Sequence, residues 1–335
     1  MKIPSLKSVA LILGVLLVGG SIGAAGSPSS GATAWTKGRT SFLFGSLRTS
    51  ASSPCVKTAQ DLHKSCQLGA NADYYLALAI CENLLSSAER SACAREAGEE
   101  SRDALDECGE QNAARLDVCE ELGGAAYQPF IDPDDFVEEV DNPFFPLRPG
   151  TMLVYESHTP DGLERQEMKI TRDTKTILGV SCVVVHDVVT LDGEVVEDTL
   201  DWYAQDRAGN VWYFGEESKD YEDGELVSLG GSWKAGRDGA QPGIIMEAHP
   251  QVGDLYRQEF MPGEAEDLAR VAGLNASVVV PYGSFTGLLA TQDFSPLEPG
   301  IVEQKFYAPG IGTVLEIGAD GGRNELVDII PPPTH

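Results

Sequence analysis

Thr199-Leu200-Asp201-Trp202-Tyr203-Ala204-Gln205-Asp206-Arg207-Ala208-Gly209-Asn210-Val211-Trp212-Tyr213-Phe214-Gly215-Glu216 reads as a β-hairpin. Two runs rich in aromatic and β-branched side chains flank residues 206–210, where Asp, Gly and Asn supply a turn. Side chains alternate across a strand, so Thr199, Asp201, Tyr203 and Gln205 share one face while Leu200, Trp202 and Ala204 share the other. The first face is polar yet bulky. On a sheet that curls it lines a cavity; on a flat one it meets solvent and the aromatics pack cross-strand. Glu216, with Lys234, Arg257 and Glu259 on neighbouring segments, are the further polar groups placed to join it. Asp201, Tyr203, Gln205, Glu216, Lys234, Arg257 and Glu259 are therefore the candidate ligand-binding residues. Charged groups in such a concavity must be paired, and they suit an anionic or hydrogen-bonding ligand.

The same texture extends both ways from the hairpin. After Pro143-Phe144-Phe145-Pro146, β-rich segments at 152–157, 166–172, 182–191, 195–204, 211–215, 254–260, 276–281, 288–294, 302–307, 312–317 and 325–329 alternate with Asp-Gly, Asn and Pro-Gly turns. Connections this short favour antiparallel neighbours, since a parallel crossover needs about a dozen residues or more. Residues 263–273 read as one short helix interrupting the meander. Upstream, residues 54–124 are helix-forming and hold six of the seven cysteines. The fold class expected is α+β, a disulfide-stapled helical segment followed by a curved antiparallel β-sheet or open barrel of roughly ten strands. The chain divides into a signal peptide at 1–25, a flexible spacer at 26–53, the Cys-rich helical segment at 54–124, an acidic and Pro-rich linker at 125–150, and a β domain at 151–335.

Lys2 and Lys7, the apolar run from Val9 to Val18 and the small residues Gly23-Ala24-Ala25 make up a secretory signal, too short in its apolar part to span a bilayer. The expectation is a secreted or periplasmic protein with no membrane span after cleavage. Export makes disulfides the default for Cys55, Cys66, Cys81, Cys93, Cys108 and Cys119. Cys55, Cys81 and Cys108 repeat at intervals of 26 and 27 residues, and Cys66, Cys93 and Cys119 at 27 and 26, which marks three degenerate copies of one unit. Eleven residues of unbroken helix rise about 16 Å, beyond the reach of a disulfide, so pairing inside a copy requires a turn between its cysteines. Ser86-Ser87 and Gly109 to Asn112 offer such turns. The favoured scheme is Cys55 with Cys66, Cys81 with Cys93, and Cys108 with Cys119; the alternative hairpin joins Cys66 to Cys81 and Cys55 to Cys93. Cys182 reads as a small buried apolar residue.

Composition bounds the function. Of 335 residues, 23% are charged and 42% hydrophobic, with 36 Gly and 19 Pro, which excludes wholesale disorder, a coiled coil and a polytopic membrane protein. A formal charge of −28 without a basic stripe excludes nucleic acid as a partner. Sixteen acids against Arg102 and Arg115 fall between Glu96 and Asp141, a solvated face that favours solubility. Asp132-Pro133-Asp134-Asp135 is too short to supply six oxygens to calcium by itself. The histidines, His63, His158, His186, His249 and His335, show no metal-ligand spacing, and His186 and Asp187 point to opposite faces of one strand. Gly19-Gly20-Ser21-Ile22-Gly23 matches a hydrolase nucleophile pattern only by coincidence, inside the signal peptide. Glycine-rich stretches such as Gly310-Ile311-Gly312 lack phosphate-binding spacing. No metal and no cofactor are expected, and no catalytic residue is assigned.

Asn142-Pro143-Phe144-Phe145-Pro146-Leu147-Arg148-Pro149-Gly150-Thr151, Val280-Pro281-Tyr282-Gly283-Ser284-Phe285 and Tyr307-Ala308-Pro309-Gly310-Ile311-Gly312 resemble an uncharacterised family of secreted bacterial proteins. The passages Asp201-Trp202-Tyr203-Ala204-Gln205-Asp206 and Gly209-Asn210-Val211-Trp212-Tyr213-Phe214-Gly215-Glu216 are similar to a subset in which a Cys-rich helical segment precedes the β-rich part. The resemblance covers most of the mature chain and implies an exported protein with a curved sheet; it brings no functional residue with it. The function expected is an exported, non-catalytic binding protein that takes an unknown small molecule or protein partner in or on the β domain. The alternatives are a secreted hydrolase using Asp201 and Glu216 as paired carboxylates, and a structural or adhesive component of the cell envelope.

Overall fold

Pro54 in the first helical turn and a Ser53 side chain accepting from the Val56 amide start α1 (Pro54–Glu82) in the computed structural model, which describes residues 53–333. The expected leader and the spacer as far as residue 52 lie outside the described residues. A capping box between Ser86 and Glu89 starts α2 (Ser87–Leu122), and Arg90 closes the preceding turn by donating to the carbonyls of Leu84 and Leu85. Two helices thus run antiparallel about one turn, at residues 83–86.

That single turn corrects the favoured disulfide scheme. The bridges are Cys55–Cys119, Cys66–Cys108 and Cys81–Cys93, so only the pair around the true turn follows the within-copy rule. Helix α1 is unbroken between Cys55 and Cys66, and α2 runs straight through Gly109 and Asn112, which puts the cysteines of those copies out of each other's reach. The alternative scheme fails for the same reason. A Gly inside a helix costs only about 1 kcal/mol, less than the cross-linked helix pair supplies. His63 adds a cross-helix hydrogen bond of 2.8 Å to the Cys108 carbonyl.

Residues 125–150 do not hang free. A 3-10 turn (Pro133–Asp135) leads into β1 (Phe136–Val137), and the Phe136 ring packs edge-on against Trp212 and Phe214. The β region then follows in chain order: β2 (Met152–Thr159), β3 (Gly162–Ile177), β4 (Val180–Leu191), β5 (Glu194–Asp206), β6 (Val211–Glu217), β7 (Asp220–Glu222), β8 (Glu225–Ser228), β9 (Trp233–Lys234), β10 (Gln241–Met246), β11 (Leu255–Arg257), β12 (Glu259–Phe260), β13 (Leu268–Val280), β14 (Gly283–Phe294), β15 (Glu303–Ala308), β16 (Gly312–Ile317) and β17 (Arg323–Ile330). Residues 263–273 hold no helix; a tight turn bridged by Met261 and Ala265 gives way to β13.

Every strand pairing is antiparallel, and the pairings return to their start. β2 to β6 form a meander, β6 pairs with β10, β13 to β17 form a second meander, and β17 pairs with β2. The seam is the short segment of β11 and β12, whose first part pairs with β13 and whose last two residues pair with β10. At the break between them the Gln258 amide donates to the Asp267 carbonyl at 2.8 Å. Gly243 is required here, because a Cβ on it would lie 2.3 Å from the Gln258 carbonyl. The result is a nearly closed antiparallel barrel preceded by a stapled helical hairpin. Tyr203 stacks on Tyr213 at 4.7 Å and Trp233 meets Tyr213 edge-on in its main core; Leu153, Leu288, Leu315 and Leu326 form a second one.

The base of the hairpin docks on the barrel beside the seam. Arg115 donates to both carboxylate oxygens of Glu266 at 3.1 and 2.8 Å, with both side chains buried, and Glu266 also accepts from the Gly263 amide. Gln111 reaches the Leu297 carbonyl, and Arg270 pairs with Glu121. Removing one partner of a buried ion pair leaves an uncompensated charge, at a cost of about 3–5 kcal/mol, whereas an apolar replacement of both is close to neutral. Arg115→Met should therefore lower unfolding stability in denaturant by that amount, and the double variant with Glu266→Leu should regain most of it; equal losses in the single and double variants would contradict the assignment.

Candidate functional site

The polar face of β5 points into the barrel. In the register of β4 and β5, Val183 opposes Tyr203, Val185 opposes Asp201 and Asp187 opposes Thr199, so these side chains share the lumen. Thr199, Asp201, Tyr203 and Gln205 are all buried. The opposite face is covered too: Trp202 lies under the Lys175 ammonium, 3.6 Å from its ring centroid.

Acids dominate the lumen. Burial, the Asp201 charge and further acids push the Asp187 carboxyl up to about 8, against a hydrogen bond from Gln166 that favours the charged form. Burial likewise pushes Glu197 to about 8 and Asp201 to about 7, although the Tyr213 hydroxyl donates to Asp201 at 2.7 Å. Glu216 is raised well above the usual carboxylate range by burial and by Asp201, its cross-strand neighbour in register; burial and Asp267 do the same to Glu259. Around the wall, Asp267 and Glu303 reach about 7 through burial. Two of these carboxyls carry an oxygen with no hydrogen-bond partner among the described residues: Asp187 Oδ1 and Asp201 Oδ2.

Against them stands Lys305, also buried. Burial opposes its charge, but Glu316 and Asp293 more than offset this and hold the ammonium well above the ordinary lysine range; its Nζ lies 3.6 Å from Asp293 and 3.8 Å from Glu316. Lys305 and Glu316 face a cavity of about 40 Å³ lined also by Phe145, Tyr155, Gln166, Met168, Tyr203, Ile245, Tyr307 and Thr313. Gln166 ties the cavity to the acids: its amide donates to Asp187 and its carbonyl accepts from Asn324. Phe145 enters from the loop at 142–147 and meets Tyr203 edge-on at 5.2 Å. The loop is pinned by Gln205, whose Oε1 accepts from the amides of Asp141 and Asn142, and by Asn142 donating to the carbonyls of Gly209 and Glu247.

The structure thus brings Asp201, Tyr203, Glu216 and Glu259 together in the lumen and places the other three elsewhere. Gln205 is a clamp for the loop. Lys234 follows Trp233 on a strand whose inward position the tryptophan takes, and it lies near Lys175 on the outer face. Arg257 alternates with the inward Tyr256 and sits outside, its guanidinium 4.5 Å from the Phe260 ring centroid and 5.6 Å from that of Tyr127. Sequence reasoning missed Gln166, Asp187, Asp293, Lys305 and Glu316. A signal existed in β15, where Glu303, Lys305 and Tyr307 alternate on one buried face. His186 bonds Asp198 outside the lumen, and burial raises the Cys182 thiol to about 12, which leaves it inert. No group of three or more His, Cys, Asp or Glu side chains among the described residues has the arrangement of a metal site.

No protein-family model matches the chain, and no curated protein matches it. Among solved structures, a protein of Parabacteroides distasonis ATCC 8503 assigned provisionally to the lipoproteins is similar over 56% of this chain and 98% of its own, at 14% identity and a TM-score of 0.34. A likeness of that size assigns neither fold nor function.

The raised carboxyls set a pH dependence. The folded state keeps protons that the unfolded chain releases near pH 4, so these groups favour folding fully below that pH and progressively less as pH rises through about 7 to 8. Thermal unfolding should therefore show a melting temperature that falls between pH 5 and pH 8.5. Asp187→Asn, which keeps an acceptor for Gln166, should be more stable than wild type at pH 8 by on the order of 1 kcal/mol and no more stable at pH 5; a melting temperature that climbs with pH would contradict the protonated lumen.

Proposed function

We propose that the chain is an exported binding protein whose barrel holds a small hydrogen-bonding molecule, with the loop at 142–147 as the stopper of its site. The observation that carries this reading is the pair of unpartnered, buried carboxyl oxygens on Asp187 and Asp201, of which Asp187 is one residue removed from a polar cavity through Gln166. A buried polar atom without a partner costs about 1–3 kcal/mol, a cost that a hydrogen-bonding occupant would relieve. About 40 Å³ accommodates roughly three waters, which limits the occupant to a few non-hydrogen atoms while Phe145 is in place. Withdrawal of Phe145 enlarges the site. Burial holds most of the lumen carboxyls protonated and Lys305 has carboxylate neighbours at 3.6 and 3.8 Å, so the site suits a neutral hydrogen-bonding occupant; without Lys234 and Arg257 in the lumen, the case for an anion is weakened.

Export is supported by the leader pattern of residues 1–25, by three disulfides of the kind that persist in oxidising compartments, and by the resemblance to exported bacterial proteins. No helix among the described residues is long and apolar enough to cross a membrane. The hydrolase reading has one observation in its favour, the register of Asp201 against Glu216 with both carboxyls raised. Neither lines the cavity, however, and both side chains are buried. Any hydrolysis that survives intact in Asp201→Asn with Glu216→Gln would remove it.

Native mass spectrometry of protein purified from its own exported fraction tests the binding reading. A small mass retained on the folded protein, lost on denaturation and absent from Phe145→Trp, which fills the cavity, is the expected result. A bare protein in both cases would overturn it.

A further inference from the structure

The hydrogen bonds, ion pairs and close approach that tie the helical hairpin to the barrel lie near its base, at Leu62 against Gly263 and from Gln111 to Glu121. From Leu62 to Glu82, α1 continues for about 30 Å beyond that contact. On this free length Leu68, Ala72, Tyr75, Leu76 and Ala79 follow the i, i+4, i+7, i+8, i+11 spacing of one helix face, and all five are exposed, Leu68, Tyr75 and Leu76 to more than 60%. An apolar face of this kind on a soluble chain marks a contact surface.

We propose that this face of α1 binds the same face of a second copy, antiparallel, to form a dimer through the hairpins. Two observations name the occupant. The first is charge: between Gln67 and Leu85 only Asp73 and Glu82 ionise, in a chain of formal charge −28. Two copies repel over nearly all their surface, and α1 offers an approach where they do not. The second is self-complementarity. Lys64 and Glu82 are exposed and stand 18 residues apart, five whole helical turns, so they lie on one flank of the stripe; Asp73, nine residues from each, marks the midpoint along the axis but sits on the opposite side of the helix. In an antiparallel pair crossing at the level of Asp73, Lys64 of each copy lies beside the partner's Glu82, which makes two ion pairs related by the twofold axis. The same crossing sets Leu76 between the partner's Leu68 and the partner's Ala72, so that the two stripes interdigitate.

Sedimentation velocity of the mature, disulfide-bonded protein over a concentration series tests this directly. A dimer is expected at micromolar concentration. Leu76→Asp, on an exposed position, should weaken it at least tenfold while leaving the circular dichroism spectrum unchanged. Lys64→Glu alone should weaken it about fivefold, and Lys64→Glu with Glu82→Lys should restore it, because the reversed charges pair again across the axis. A protein monomeric at tens of micromolar, a dimer indifferent to Leu76→Asp, or a double reversal that fails to restore association would each overturn the proposal. So would a monomer that binds neutral phosphatidylcholine vesicles through Leu76, since the face would then belong to a lipid surface.

Discussion

Closure of the backbone hydrogen-bond circuit is the constraint on which the rest of this structure depends. A meander of long antiparallel strands presents two edges, each with a row of unpaired amides and carbonyls. Here the second meander pairs back onto β2, and the remaining gap is spanned by the few residues of β11 and β12, which face β13 with one end and β10 with the other. The approach at Gly243 is so close that only hydrogen fits in place of a side chain. Next to that seam the Arg115–Glu266 pair seats the hairpin, so the pose of the helices is a consequence of where the barrel closes.

Closure also creates an inside, and the strand alternation decides what is put there. On β4, β5, β14 and β15 the inward positions carry Asp187, Asp201, Asp293, Glu303 and Lys305 among the aromatics. So many carboxyls cannot all be charged in a low-dielectric space with a single ammonium near them, and protonation is the cheaper solution. The lumen is held by hydrogen bonds from Tyr213, Gln166, Gln258 and Asn324, with Lys305 at its one concentrated positive point. A packed hydrocarbon core of the same volume would be at least as stable.

The fold class and the polar face of β5 were legible because both rest on local periodicity. Thr199, Asp201, Tyr203 and Gln205 alternate over a run long enough to fix their side, and the cysteine spacing announced a helical unit. What could not be read is long-range. Lys234 and Arg257 sit on strands of two and three residues, where a single step of register changes the face and no pattern accumulates to show it. The disulfide scheme turned on whether Gly109 ends a helix, and the local preference was overridden by packing across the hairpin. Gln166 and Lys305 look like ordinary strand-surface residues until the barrel is closed around them. Residues 125–150 read as a linker from their Pro and Asp content, yet Phe136 and Tyr127 are anchors that find partners far along the chain.

The three bridges are nested, with sequence separations of 12, 42 and 64. Loop-closure entropy grows with the length of chain to be closed, so the bridge at the tip forms most readily. Once Cys81 and Cys93 are joined, the route from Cys66 to Cys108 shortens to the two arms outside that bond, and closing it shortens the route from Cys55 to Cys119 in turn. Oxidation then proceeds like a zip from tip to base, each step setting the register of the next. All six of these thiols precede Cys182 along the chain, and that seventh thiol is buried on β4. Mispairing is thus discouraged by the order of events as well as by the final geometry.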